Sequence, residues 1–163
     1  MGRDKSKHWD VGVTGAVVQD GKVLYVRRNY APNKGTWTLP GGYANHDETL
    51  DEAVRRELRE ETGLEIHVQD VIGVRTRYQE DGGAVLVIFR ASVASGIPQA
   101  DNYEISAAEF FDAAQIAALD PVFPLSRTLG LEALKSETIG LVETTIAPTS
   151  GARWKAFTLP PTA

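Results

Sequence analysis

Apolar and polar residues alternate through Trp9–Val18 and again through Val23–Arg28, with Gln19-Asp20-Gly21-Lys22 between the two runs. A period of two marks a strand with one buried face, and Asp-Gly between two such runs predicts a tight hairpin. Asn29–Gly35 carries Pro32 and Gly35 and reads as a loop. Thr36–Pro40 reads as a short strand, stopped by Pro40 and the pair Gly41-Gly42. Two longer runs, Glu65–Tyr78 and Ala84–Ala94, read as strands joined by a hairpin connection at Gln79–Gly83. Beyond a loop at Ser95–Asn102, helices are expected at Asp112–Leu119 and, despite Gly130, at Leu125–Lys135. The tail alternates and turns at Pro148-Thr149-Ser150-Gly151, which predicts a terminal hairpin. Strands interleaved with helices imply an α/β fold, a mixed sheet packed with helices. The expected organisation is one domain over residues 1–135 and a tail over residues 136–163 that packs on it.

The best-marked helix is Leu50–Thr62. Thr49 and Glu52 form a capping box ahead of it, and Gly63 suits the left-handed residue that ends it. Leu50, Ala53, Val54 and Leu58 share one face at helical spacing. Asp51, Glu52, Arg55, Arg56 and Arg59 fall on the opposite side, where an amphipathic helix meets solvent. Glu57 and Glu61 fall inside the apolar arc, and Glu60 lies beside Ala53. Four residues apart, Glu57 and Glu61 are neighbours whose like charges repel, and partial burial makes the repulsion costlier. Two readings offset it. One is a salt-bridged helix, although Arg55 and Arg59 lie across the wheel and Arg56 is the near cation. The other is a divalent cation.

Composition bears on that choice. The chain has no cysteine, and His8, His46 and His67 are far apart in sequence, so any metal would be held by oxygen. Oxygen ligands suit Mg2+ or Mn2+. From Asp47 to Glu61 there are seven acids and three arginines, a local charge of −4 in a chain whose total is −5. This acidity argues against a nucleic-acid surface. No apolar run approaches membrane-spanning length and no signal peptide is visible, so a cytoplasmic protein is expected. Gly2 and Ser6 match the loose spacing of a myristoylation site. A Gly-Gly turn leading to a helix N-terminus lets backbone approach an anion. A loop, a carboxylate helix and a hard cation together point to phosphate chemistry.

The stretch Gly42–Leu64 resembles the Nudix box, G-x5-E-x7-R-E-U-x-E-E-x-G-U with U a bulky aliphatic residue. Gly42, Glu48, Arg56, Glu57, Leu58, Glu60, Glu61, Gly63 and Leu64 all match. The approach segment, with Gly35-Thr36-Trp37-Thr38-Leu39-Pro40-Gly41-Gly42, is similar to that of many Nudix enzymes. The resemblance implies an α/β/α sandwich and hydrolysis of a nucleoside diphosphate linked to a further moiety X. It implies that Glu57, Glu60 and Glu61 bind divalent cations and that Arg56 orients a catalytic glutamate. Glu48 would be an outer ligand or would tie the loop to the helix. Family members differ in which glutamate deprotonates the attacking water, so Glu57 and Glu60 are candidates within the box. Glu104 is the first candidate outside it and Glu80, on the hairpin, the second. Gly41, Gly42, Arg28 and Tyr43 are expected to meet the substrate. Arg27, Arg75 and Arg77 could contact phosphates, and Tyr78 could stack on a base; Phe89 is expected first to pack in the core, with base stacking its alternative.

The same segment most resembles enzymes acting on ADP-ribose, NADH or related nucleotides. Gln79 stands where the ADP-ribose class often has proline, and Tyr78 is out of register with the tyrosine of the diadenosine polyphosphate class. Pyrophosphohydrolysis of (d)NTPs or of diadenosine polyphosphates is the alternative, and a non-catalytic nucleotide sensor is the alternative of another kind. The expected partner is a small nucleotide, with no nucleic acid or membrane. The tail hairpin could close the sheet, cover the site or build a homodimer.

Overall fold

The computed structural model describes residues 8–79, 82–135, 140–144 and 156–158. In chain order the strands are β1 (His8–Gln19), β2 (Lys22–Arg28), β3 (Trp37–Thr38), β4 (Gly41–Tyr43), β5 (Glu65–Gln79), β6 (Gly82–Ser95), β7 (Ile105–Phe111), β8 (Leu141–Thr144) and β9 (Ala156–Thr158). Three helices join them: α1 (Leu50–Thr62), α2 (Ala113–Ala118) and α3 (Pro124–Ala133). The strand order is β3-β2-β1-β6-β5-β8-β9, with β4 also on β1 and β7 also on β2. β1 runs parallel to β6 from His8↔Gly82 to Val18↔Ser92, and the other pairings are antiparallel, so the sheet is mixed. Among the described residues no helix is long and apolar enough to cross a membrane.

Alternation on β1 sorts the two faces. Val13 and Val17 are buried under α1 with Ala53, Val54, Leu58 and Phe89. A Cβ on Gly15 would come within 3.1 Å of Leu58, so glycine lets the helix sit directly on the strand. Ala16 faces the other way, into a second core with Val23, Tyr25, Leu39, Ile116 of α2 and Ala133 of α3. Helices therefore cover both faces, and the α/β/α sandwich implied by the resemblance is the observed fold.

The local signals around α1 act as their chemistry requires. The Thr49–Glu52 capping box is formed, and Gly63 takes a left-handed φ of 71° while its N–H donates to Arg59 O. Asp20 and Gly21 make the first hairpin turn with φ of 50° and 72°.

Three expectations need correction, and one strand was not foreseen. Gly41-Gly42 does more than stop a strand, because Gly41–Tyr43 pairs with Gly12–Thr14 as β4. Ile105–Phe111 is a strand on β2, although its Ala, Ser and Glu residues have little strand propensity; pairing with Val23–Arg28 overrides it. Asp51, placed by the wheel on the solvent side, is 1% exposed. It accepts from Arg55 at 2.6 Å and from Thr49 Oγ1 at 2.8 Å, which offsets the burial of its charge. Tyr78 offers no platform for a base in the cleft described below, while Phe89 takes the core-packing role expected of it first. Phe89 is fully buried beneath α1, and Tyr78 is exposed and does not line that cleft.

In the tail, β8 pairs with Asp70 and Val71 of β5, and β9 pairs with β8, so the chain here extends the sheet. The turn expected at Pro148–Gly151, the Gly2/Ser6 pattern and Glu80 lie outside the described residues.

Candidate active site

The carboxylates of α1 reach a cleft because the helix crosses the sheet beside the turn that begins β4. Two contacts pin that turn to β1: Gly15 N–H donates to Pro40 O at 3.0 Å, and Thr14 Oγ1 donates to the same oxygen at 2.7 Å. Gly41 has a φ of 146°, and a Cβ there would lie 2.2 Å from Val13 O, so no other residue fits. Its N–H donates to Glu61 Oε2 at 2.9 Å. One residue on, a Cβ at Gly42 would lie 2.5 Å from Glu57 Oε2. The two glycines thus leave room for two carboxyl groups against bare backbone.

Arg56 organises the acids around it. Its Nη2 donates to Glu48 Oε1 at 2.7 Å and to Tyr43 O at 3.0 Å. Its Nη1 donates to Glu57 Oε1 at 2.8 Å and to Glu60 Oε2 at 3.0 Å. Glu48 also accepts from Asn45 N–H at 2.8 Å, so it ties the loop before α1 to the helix. Arg55 and Arg59 turn away, to Asp51 and Glu65. The salt-bridged reading of the helix therefore accounts for Glu48, Glu57 and Glu60 through one arginine.

Glu61 is left with no cation bound to it among the described residues, and it is 8% exposed. Burial pushes its carboxyl up to about 8; the Gly41 N–H opposes the shift, and the negative Glu57 and Glu104 add to it. Burial also raises Glu57, against the pull of Arg56. The Arg56 hydrogen bonds hold Glu48 below the ordinary range and raise Arg56 itself.

These groups open onto a cleft of about 620 Å³. Arg56, Glu57 and Glu60 line one side with Gly41, Gly42, Tyr43 and Asn45. Glu104, Arg28 and Tyr30 line the cleft as well, Arg75, Arg77 and Leu86 belong to the sheet, and Leu125, Ser126 and Leu129 come from α3. Glu104 sits on a fixed loop: Asp101 Oδ1 accepts from the N–H groups of Tyr103, Glu104 and Ile105, and Asn29 N–H donates to Glu104 O at 2.8 Å. Arg28 contacts Tyr30 through its hydroxyl and stacks over the Tyr30 and Phe123 rings. Arg27 lies apart, donating to Gly35 O. Tyr43 stands exposed at the rim. The residues from β6 and α3 carried no signal in the sequence, because only the folded sheet brings them beside the box.

Do these residues fit a divalent cation? The donors are carboxylate oxygens, which suit a hard ion. Glu61 is a buried carboxyl beside two further acids, an arrangement that a cation would relieve. Among the described residues no three acids or histidines converge closely enough to form a finished cage. The acids fit in kind and location: Arg56 engages Glu57 through Oε1 and Glu60 through Oε2, which leaves the second oxygen of each for a cation.

A model of the NUDIX domain matches residues 7–129, more than half of the chain. The chain belongs to the Nudix family. It is 38% identical over 107 residues to an ADP-ribose pyrophosphatase of Methanocaldococcus jannaschii, covering 64% of this chain and 63% of that one. It is 37% identical over 109 residues to a putative 8-oxo-dGTP diphosphatase 2 of Mycobacterium tuberculosis, covering 61% and 75%. The crystal structure of a MutT Nudix hydrolase from Burkholderia pseudomallei superposes with a TM-score of 0.69 at 27% identity, covering 79% of this chain and all of that one. The chain spans less than two thirds of the length of several curated Nudix relatives, the archaeal enzyme among them.

Proposed function

We propose that this Nudix protein hydrolyses the diphosphate linkage of a nucleoside diphosphate joined to a moiety X, with Mg2+ or Mn2+, and that X makes the substrate ADP-ribose-like or NADH-like. The observation that carries the reading is the cleft itself. Glu57 and Glu60 of α1 line it together with Glu104, with Arg28 on its wall and the buried Glu61 behind Gly41.

In this reading Glu57, Glu60 and Glu61 hold the cation, and Glu48 keeps the loop against the helix. Arg56 positions Glu57. A bound divalent cation supplies charge to the phosphate oxygens and makes bound water more acidic. Glu104 accepts the proton of the attacking water, since it faces Glu57 and Glu61 from a loop fixed by Asp101. Arg28 donates to a phosphate oxygen, and the small Gly41 and Gly42 let the diphosphate lie close to backbone. Tyr43 closes the rim over the nucleoside. The archaeal relative's name and the segment Arg27–Gly42 support ADP-ribose. The mycobacterial relative's name supports a second reading, hydrolysis of an oxidised (d)NTP.

The test is product release with Mg2+ across ADP-ribose, NADH, diadenosine polyphosphates, nucleotide sugars and (d)NTPs, for wild type and Glu61→Gln together. One dominant substrate, lost in the variant, is expected. Equal activity in both proteins would remove Glu61 from the metal site, and no turnover of any substrate would favour a nucleotide sensor.

A further inference from the structure

The described arginines divide into two groups. Arg55, Arg56, Arg59 and Arg90 are paired with acids. Arg27 and Arg127 donate to the backbone carbonyls of Gly35 and Leu119. Arg28, Arg75 and Arg77 belong to neither group: Arg28 reaches only the Tyr30 hydroxyl, and among the described residues Arg75 and Arg77 have no acid or carbonyl partner, while all three line the cleft. Arg75 and Arg77 are two apart on β5, so they project on the same side, roughly 7 Å apart along the strand. Their cross-strand partners are Leu86 and Ala84 of β6. Leu129 of α3 stands over the same floor, within reach of Gly73.

Arg75 Nη1 is buried and makes no hydrogen bond. A buried donor without an acceptor is costly, and a second cation on the same face adds repulsion. No protein group among the described residues offsets either cost; solvent at the exposed Arg77 screens part of the repulsion. An anion bound between the two guanidiniums offsets both, because phosphate accepts charge-assisted, often bidentate, hydrogen bonds from arginine. In the proposed reading the scissile diphosphate lies beside the glutamates with Arg28 as its cation, which leaves Arg75 and Arg77 for a further anion.

We infer that Arg75 and Arg77 form a second anion subsite in the cleft, which selects substrates carrying a phosphate in addition to the scissile diphosphate. The inference rests on the proposed hydrolysis of a nucleoside diphosphate derivative and narrows its substrate to one with a phosphomonoester on a sugar. Gly12 keeps the floor beside this subsite low, since a Cβ there would come within 3.1 Å of Leu86 Cδ1.

The test compares two ligands that differ by that phosphate alone, ADP-ribose and 2′-phospho-ADP-ribose. Binding to the full chain is measured by calorimetry with Ca2+, and turnover separately with Mg2+. Wild type is expected to bind the phosphorylated ligand at least about tenfold more tightly, the factor that corresponds to 1.4 kcal/mol. In Arg75→Gln the two affinities converge, and Arg75→Lys restores part of the difference because it keeps the charge. Arg59→Gln, whose side chain pairs with Glu65 outside the cleft, serves as the control and keeps the wild-type ratio. Equal affinities in wild type, or binding of neither ligand, overturn the subsite. Discrimination in binding without turnover of either ligand supports the subsite and overturns the proposed hydrolysis instead.

Discussion

Replacing Glu61 by glutamine separates the cost of a buried carboxylate from its use. Burial raises this carboxyl from an ordinary 4.5 to about 8. At about 1.4 kcal/mol per pKa unit, the gap amounts to roughly 5 kcal/mol once the group is ionised in the folded protein. The sign follows from linkage. Between pH 4.5 and 8 the folded state keeps a proton that the unfolded chain releases, so stability is full below that window and falls as pH rises through it. Glutamine keeps the hydrogen bond from Gly41 N–H and carries no charge. Without metal, Glu61→Gln should therefore match wild type near pH 5 and exceed it by several kcal/mol at pH 9. For a chain of this size that is on the order of 10 °C in Tm. Added Mg2+ should raise the wild-type Tm at pH 8 to 9 and leave the variant nearly unmoved, because a ligand stabilises the state that binds it. The assay is thermal unfolding from pH 5 to 9, in EDTA and in excess Mg2+. Glu57 is also raised and is present in both proteins, so the difference between the curves reports Glu61 together with its repulsion from Glu57. Parallel curves in EDTA would refute the burial argument, and an equal Mg2+ response in both proteins would refute the metal assignment.

Three further outcomes are expected. Glu104→Gln should lower kcat by about 10²- to 10⁴-fold, the usual worth of a general base, with little change in Tm because the side chain is exposed; steady-state kinetics with an unchanged kcat would remove it from that role. Gly42→Ala places a methyl 2.5 Å from the Glu57 carboxylate, the free end of a side chain that can swing aside, and should reduce kcat/KM at least about tenfold with little loss of stability, so a variant with wild-type Mg2+ dependence would contradict the cradle. Asp51→Ala breaks a buried pair and should cost about 2 kcal/mol, less than a fully buried pair because Arg55 is partly exposed, with kcat/KM unchanged; denaturant unfolding with no shift in midpoint would show that the pair contributes nothing.

How much was legible in the sequence depends on the range of the signal. The bounds of α1 were readable because capping box, apolar spacing and terminal glycine all act within a few residues, and each agrees with the fold. The anomaly of Glu57 and Glu61 was readable for the same reason, since a wheel needs only local spacing. Asp51 was misplaced because the wheel assumes that a charge seeks solvent. The fold instead turns Asp51 inward and meets it with Arg55 and Thr49, a solution visible only once the neighbours are known. β7 was missed because Ser106, Ala107, Ala108 and Glu109 interrupt its strand-forming Ile and Phe residues, and the pairing with β2 is made across most of the domain. The cleft shows the same division. Its acidic side is one continuous segment, so the motif displays it whole. Its remainder draws Arg75 from β5, Leu86 from β6 and Leu129 from α3, positions that become neighbours only when the sheet and the second helix layer assemble. The motif thus carries the chemistry, while the groups that choose among substrates are scattered through the chain. Substrate choice therefore has to be argued from which side chains the fold leaves without partners, and Arg28 and Arg75 each bring a buried, unmatched donor to the cleft.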